Sequence, residues 1–481
     1  MRIIGNNPAA DNAEITAVAS GTLPDGKAVV VNTDGTVSVV ETSAASSGTP
    51  VVFENADTRH SSVTYDINAQ KVVIAYRDRG NSDYGTAIVG TVSDTSISFG
   101  SPTVFETATV PHISATYDAN AQKIVIAYAD SGNSSYGTAI VGTVSGTNIS
   151  FGSAAVFESA DTRYISATYD ANAQKVVIAY SDDTNSEHGT AIVGTVSGTN
   201  ISFGSAVVFE SADTNYVSAT YDSSAQKIVI AYNDGGNSSH GTAIVGTVSG
   251  TSISFGSAVV FESASANHTS VIYDSNAQKV VVAYQDNGNS GHGTAIVGTV
   301  SGTSISFGSA TVFESANSDN VFITYDANAQ KVVIIYTDGG NSDYGTAIVG
   351  TVSGTSISFG SAVVFENDGV SHMSSAYDAN AQRVVIAYRD GGNSGDGTSV
   401  VFKSPAQNLT SENFIGFSNA AYADTQTATI EVGSAINNGQ SSLTIGQQYF
   451  VQTDGTIGLT ADDPSVIAGT AISATEIIVK G

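Results

Sequence analysis

The sequence predicts an all-β protein: a seven-bladed β-propeller built from 52-residue, four-stranded repeats, with a small C-terminal β module after it. Three observations predict this. The phenylalanine of a "VFE" motif returns at Phe53, Phe105, Phe157, Phe209, Phe261, Phe313 and Phe365, 52 residues apart each time. The 481-residue chain has only four leucines (Leu23, Leu409, Leu443 and Leu459), while Val, Ile, Thr, Ser, Gly and Tyr dominate, which is the vocabulary of strands and turns. Each repeat also divides into four strand-like runs, and four-stranded units that cover one another radially are propeller blades.

Within a repeat, strand A is like "ISATYD", strand B like "KVVIAY", strand C like "GTAIVGTV" and strand D like "ISFGSAVVFE". "DANAQK" links A to B and "SGTS" links C to D, both with the composition of hairpin turns. Strand B is apolar on consecutive residues, as in a sheet covered on both faces. A linear solenoid would need distinct polar caps, which the sequence lacks. The last repeat breaks off after "GTSVVFKSPAQN", yet "SGTPVVFE" at Ser47–Glu54 aligns with "FGSPTVFE" at Phe99–Glu106. The N-terminal segment therefore supplies a D strand to complete the last blade, which removes the exposed edges of an open sheet. The expected division is an N-terminal hairpin and attachment segment over 1–46, the propeller over 47–404 and the C-terminal module over 405–481.

Charge and composition narrow the partners. A formal net charge of −28 with 16 Lys plus Arg and no basic patch argues against nucleic acid and against anionic membranes. No 18-residue apolar run and no apolar signal core are found, so neither membrane insertion nor classical export is expected. Cysteine is absent, which rules out disulfides and thiolate metal sites.

The two ends differ from the repeats and echo each other. "ASGTLPDGKAVVVNTDGTVSVV" near the N-terminus reads as a hairpin about Asp34-Gly35, and "YFVQTDGTIGL" (Tyr449–Leu459) returns to the same theme. The first of these and the longer "LTIGQQYFVQTDGTIGLTADDPSVIAGTAISATEIIVKG", which contains the second, resemble end modules of structural proteins from marine tailed bacteriophages. The repeats are similar to those of propellers in the same kind of virion protein. The resemblance implies a virion location after assembly in the host cytoplasm, a tail-fibre or appendage role in host attachment, and contacts to other virion proteins through the terminal segments, with self-association open. It supplies no catalytic motif.

Three acids recur in every repeat: the Glu after "VF" (Glu54 to Glu366), the Asp of "YD" (Asp66 to Asp378) and the Asp closing strand B (Asp78 to Asp390). Glycosidase chemistry needs two carboxylates in different environments, so seven equivalent copies read as turn and loop caps instead. No enzyme activity is expected, the lesser alternative being a carbohydrate-active propeller of the sialidase or lyase kind. No cofactor is expected; weak calcium binding at the "D-x-G-N-S" loop (Asp130, Gly132, Asn133, Ser134) is the alternative to a plain turn, since the EF-hand pattern is missing.

Differences among the repeats point to a site. The A–B and C–D turns hardly change, while the D–A connection and the B–C loop vary, and in an antiparallel blade those two emerge on one face. At the start of strand A stand His60, His112, Tyr164, Tyr216, His268, Asn320 and His372, expected to ring the mouth of a central channel. His188, His240 and His292 lie in B–C loops of the same face, where other repeats carry Tyr84, Tyr136 and Tyr344. With one candidate ligand per blade and no paired His-x-His, a metal site is disfavoured. The ring, with Arg59 and Arg163 beside it, is the expected binding site for host-surface saccharide or protein. The histidines would tighten anion binding below pH ~6.5. The competing reading is a capsid-decorating or purely architectural virion protein without a ligand.

Overall fold

A computed structural model describes residues 13–462 and 464–480; the first twelve residues of the expected attachment segment lie outside these. The chain forms two compact units, Ala45–Ser404 and a second made from both ends, Met1–Ala44 with Pro405–Gly481.

In Ala45–Ser404 the first repeat runs through Val51–Asp66, Lys71–Asp78, Tyr84–Ser93 and Ser96–Phe99. All neighbours are antiparallel, with Tyr65 opposite Val72, Val73 opposite Val89 and Thr91 opposite Ser98. Two features differ from the expected strands. Strand D is split: Ser96–Phe99 covers one end of strand C, and the start of the following strand covers the other, Thr103 opposite Ala87. Gly100 sits in the break, where an added Cβ would lie 1.9 Å from the Thr147 carbonyl oxygen of the next repeat's C–D turn. The outer strand is thus interrupted so that two units can touch. In addition, the second part of D and the next A fuse into one 16-residue strand, as in Ala155–Asp170 and Val207–Asp222. Only the second repeat breaks this strand, into Thr103–Thr109 and Ser114–Asp118 around Pro111, which has no N–H to give to a ladder.

The acids common to all repeats are engaged by the scaffold. Each strand B tyrosine is fully buried and donates its hydroxyl to the Glu after "VF", from Tyr76–Glu54 at 3.0 Å to Tyr388–Glu366 at 2.8 Å. Asp66 accepts from the amides of Asn68 and Ala69, closing the A–B turn, and Asp78 accepts from Asn81 as the cap of a short 3-10 turn. The first glycine of strand C makes room for the "VFE" ring: a Cβ on Gly85 would fall 2.5 Å from Cε2 of Phe105.

Successive units pack face to face through apolar side chains of strands B and C. Val73 and Val89 of the first repeat meet Ile124, Ile126 and Tyr128 of the second, and Val385, Ala387 and Val401 of the last meet Val72, Ile74 and Tyr76 of the first. The last strand C, Asp396–Lys403, pairs with Ser46–Ser47 and with Val51–Asp66, placing Thr398 opposite Val52 and Gly397 opposite Glu54. Strand A leaves one backbone edge unpaired, and a serine from the preceding repeat satisfies it. Ser62 Oγ accepts the Ala115 amide at 2.9 Å, Ser114 the Ala167 amide at 2.9 Å, and Ser374 the Val63 amide at 3.0 Å. Repeat six has Phe322 at this position and breaks the series.

The terminal unit corrects the expected division. Residues 1–46 and 405–481 are not two modules: a five-stranded sheet runs Glu14–Val18, Thr427–Glu431, Phe414–Ser418, Ala28–Val31, Val37–Val39. Ala28, Val29 and Val30 are fully buried, which a lone hairpin cannot achieve. Phe417, Val451 and Ile477 from the C-terminal segment join Val30 in one core. The echoed hairpins are built alike, with the Thr36 amide on Asp34 and the Thr456 amide on Asp454, each at 2.9 Å.

Candidate functional site

The site begins with a kink in the inner strand. Pairing of strands A and B slips between Arg59 and Ser62, leaving an extra residue as a β-bulge, and the same slip recurs between Arg163 and Ser166. The bulged residues are His60, Tyr164, Tyr216, His268, Asn320 and His372, with His112 at the same position in the break between Thr109 and Ser114, and all seven have left-handed backbones, with φ from 47° to 54°. Asn320 and the four histidines are residue types enriched in that region; for Tyr164 and Tyr216 the conformation costs about 1–2 kcal/mol each. A left-handed backbone repeated around one ring is a mark of a functional constraint.

The bulge turns each ring onto its neighbour. Centroids lie 4.9 Å apart for His372–His60, 5.5 Å for His60–His112, 5.5 Å for His112–Tyr164, 5.4 Å for Tyr164–Tyr216 and 4.9 Å for Tyr216–His268. Asn320 stands between His268 and His372 in the repeat order, its amide donating to Thr337 Oγ1 at 3.2 Å. The structure therefore brings the expected ring residues together as a collar. Its members Tyr216, His268, Asn320 and His372 border a cavity of about 550 Å³ lined by strand A residues of all seven repeats, mostly Ser, Thr, Ala and Val. Among the described residues, no protein group hydrogen-bonds the imidazoles of His60, His112 and His372 or the hydroxyls of Tyr164 and Tyr216. The collar thus presents polar atoms whose bonding capacity is unspent. His188, His240 and His292 stand one strand outward from strand B, at the start of strand C, and take no part in the collar.

Electrostatics correct the expected pH response. Burial pushes the His60 imidazole down to about 3, helped by the neighbouring His372 and His112, and holds His112 and His372 down at about 4. Burial lowers His268 as well, against the attraction of Asp319. His60, His112 and His372 stay neutral through pH 6.5, so anion binding gains nothing from them there. The two arginines are unequal. Arg163 is enclosed by Asp183 at 3.3 Å, Glu187 at 3.4 Å and Asp161 at 3.7 Å, whereas among the described residues Arg59 has a single carboxylate contact, to Asp57 at 3.6 Å.

The sequence reading missed a group of charges between the last and first repeats. Asp57 receives Arg389 at 2.6 Å and Arg79 as well, and these guanidinium groups hold its carboxyl below the usual range although burial works the other way. Arg77 reaches Asp83 at 2.9 Å. A signal was present: at the position after the strand B tyrosine, only the first and last repeats carry arginine, Arg77 and Arg389, against Ala129, Ser181, Asn233, Gln285 and Thr337.

No family model and no curated protein matches the sequence. Among solved structures, the chain is similar to the BP39L lectin from Burkholderia pseudomallei, with a TM-score of 0.54 at 9% identity over 74% of this chain and 100% of that one. A protein of unknown function from Dyadobacter fermentans gives a TM-score of 0.47 at 12% identity, over 75% and 99%. The fungal lectin from Aleuria aurantia, a six-bladed β-propeller, gives 0.40 at 12% identity, over 66% and 98%. The strand units and the first of these likenesses agree on the fold, an all-β propeller of tandem repeats.

Proposed function

We propose that Ala45–Ser404 is a closed seven-bladed propeller and that the protein is an attachment component of a bacteriophage virion, its collar engaging saccharide on the host surface. Support for closure comes from the strand shared by the first and last repeats and from the apolar packing between them. The observation that carries the binding role is the collar: six rings on left-handed backbone, five of them with polar atoms that meet no protein partner among the described residues, on the face where the repeats differ. Imidazole and phenol groups around a concavity suit sugars, which offer hydroxyls to hydrogen-bond and C–H faces to stack. The lectin likeness agrees with that ligand class. The virion assignment rests on the end segments, which resemble phage end modules, and we assign tethering to other virion proteins to the terminal unit. Hydrolysis is not part of the proposal, since the repeated acids cap turns and accept tyrosine hydroxyls.

The stacking within the collar favours a second reading, in which the rings serve only each other and the virion protein is architectural. Adsorption separates the two. Phage carrying Tyr164→Ala with Tyr216→Ala is compared with phage carrying Asn172→Ser, an exposed A–B turn change that repeat four already contains as Ser224. The attachment reading expects at least a tenfold loss of adsorption rate for the collar pair and none for the turn variant. Equal adsorption would leave the architectural reading.

A further inference from the structure

The collar is not the same all round. On the side of repeats three to six, the nearby charges acting on the rings are mainly acidic: Asp213 and Glu187 act on Tyr164, where Arg163 is itself enclosed by carboxylates, and Asp319 acts on Tyr216 and His268. On the side of the first and last repeats the charges acting on His60 and His372 are mainly arginines, Arg59 and Arg77 on both and Arg389 on His372, with Asp57 the opposing acid. Four of the seven arginines of the chain (Arg59, Arg77, Arg79 and Arg389) gather at this seam, in a protein of net charge −28. The acids around them are largely occupied. Asp57 and Asp83 pair with the arginines, Asp78 and Asp390 cap turns, Glu54 takes the Tyr76 hydroxyl and Asp396 accepts from Asn393.

A second observation lies in the four residues Thr58–Ser61. Thr58 Oγ1, Arg59 Nε and Ser61 Oγ are all buried and meet no protein partner among the described residues. Thr58 is 0% and Ser61 8% exposed, and Ser61 borders the cavity. Five other repeats place an apolar residue where Ser61 stands: Ile113, Ile165, Val217, Val321 and Met373. The fifth has Thr269, whose hydroxyl is satisfied by the Ala266 carbonyl at 3.4 Å. A buried hydroxyl without a partner costs about 1–3 kcal/mol. Arg59 also leaves most of its five donors unused, in the planar fork that fits a carboxylate or a sulfate. By contrast, the orphaned hydroxyls of Thr143, Thr195 and Thr247 share one strand C position in three repeats and belong to the repeat itself.

We propose that the collar takes an acidic saccharide, with its carboxylate or sulfate held at the seam by Arg59 and Ser61, beside His60 and His372. This rests on the attachment reading and names the ligand class for it. The test uses the full chain in calorimetric titrations with four probes: a uronate hexasaccharide, its carboxyl-reduced neutral counterpart, a sulfated galactan hexasaccharide and hexaglutamate. At least one acidic saccharide binds ten or more times tighter than the neutral one, and the stronger of the two identifies the anionic group. Arg59→Gln removes that preference, while Asn172→Ser in the exposed A–B turn leaves affinity within twofold. Ser61→Val matches the apolar residues of the other repeats, so it raises the thermal midpoint while weakening the acidic saccharide. A merely structural role for Ser61 would lower the midpoint and leave binding intact, contradicting the proposal. Neutral and acidic probes binding alike, both lost in Tyr164→Ala with Tyr216→Ala, would overturn the seam site and keep the attachment reading. No probe bound, with normal phage adsorption by the collar variant, would overturn both. Hexaglutamate binding as tightly as the acidic saccharides would overturn the saccharide class.

Discussion

The two ends of each inner strand use the same unusual backbone for opposite purposes. At the A–B turn Gln70 has φ 54°, and at the collar His60 has φ 51°. The turn uses that conformation to reverse the chain, and in the first repeat Asp66 holds two amides while the Tyr65 hydroxyl accepts the Asn380 amide of the neighbouring repeat at 3.1 Å. Its residues scarcely vary between repeats. The collar uses the conformation to lay a large ring over the mouth, leaves nitrogens and hydroxyls without protein partners, and changes residue from repeat to repeat. Within one scaffold, sameness with satisfied hydrogen bonds marks mechanical work, and variation with unspent bonding capacity marks a surface for something else.

The largest effect should come from the scaffold. Tyr180 is fully buried and its hydroxyl reaches Glu158 at 2.8 Å. Tyr180→Ala should cost about 3–5 kcal/mol through cavity formation and leave Glu158 without its donor, seen as a large fall in the urea midpoint. The collar should tolerate change according to backbone rather than size. Tyr216→Val, a β-branched residue at φ 49°, should lose about 1–2 kcal/mol, while Tyr216→Asn, which copies Asn320, should stay within about 0.5 kcal/mol of the parent. Equal losses would mean that ring stacking, not conformation, governs the collar. Ser114→Ala removes the acceptor of the Ala167 amide at an inner edge and should cost about 1 kcal/mol.

The smallest effect concerns pH. Imidazoles held at about 3 to 4 in the folded chain and near 6.5 in the unfolded one lose stability as pH falls from about 6.5 to about 4, because only the unfolded chain takes up their protons. Burial raises carboxyls such as Asp118 and Asp390, so they release stability in the opposite sense as pH falls from their raised values toward the ordinary carboxylate range. The net slope should be shallow in the parent. Replacing His60, His112 and His372 together with Asn should lessen the stability lost on acidification, read as urea midpoints at pH 7, 5.5 and 4.5. An unchanged slope would mean the imidazoles are solvated.

Much of this was legible in the sequence, for identifiable reasons. The 52-residue period, the four runs and the Asp-led turns are local patterns, and the collar positions follow from counting residues from strand A. What escaped depends on distant partners. The break at Gly100 exists because the Thr147 carbonyl of another repeat approaches it. The shared terminal sheet exists because Ala28–Val31 is covered by residues nearly 400 positions away. The neutrality of His60 and the enclosure of Arg163 follow from neighbours that only folding assembles. Arg77 and Arg389 were visible as the odd members of their repeat position, but their convergence required the last repeat to meet the first.

Amide hydrogen exchange tests the central claim most directly. The full chain would be followed with and without saturating oligosaccharide released from the lipopolysaccharide of an adsorption-positive bacterial strain. A binding collar predicts slower exchange at Arg59–Ser62, Arg163–Ser166 and Asn215–Ser218, with the A–B turns such as Asp170–Lys175 unchanged. Protection confined to those turns or to the outer strands, with the collar segments unaffected, would contradict it.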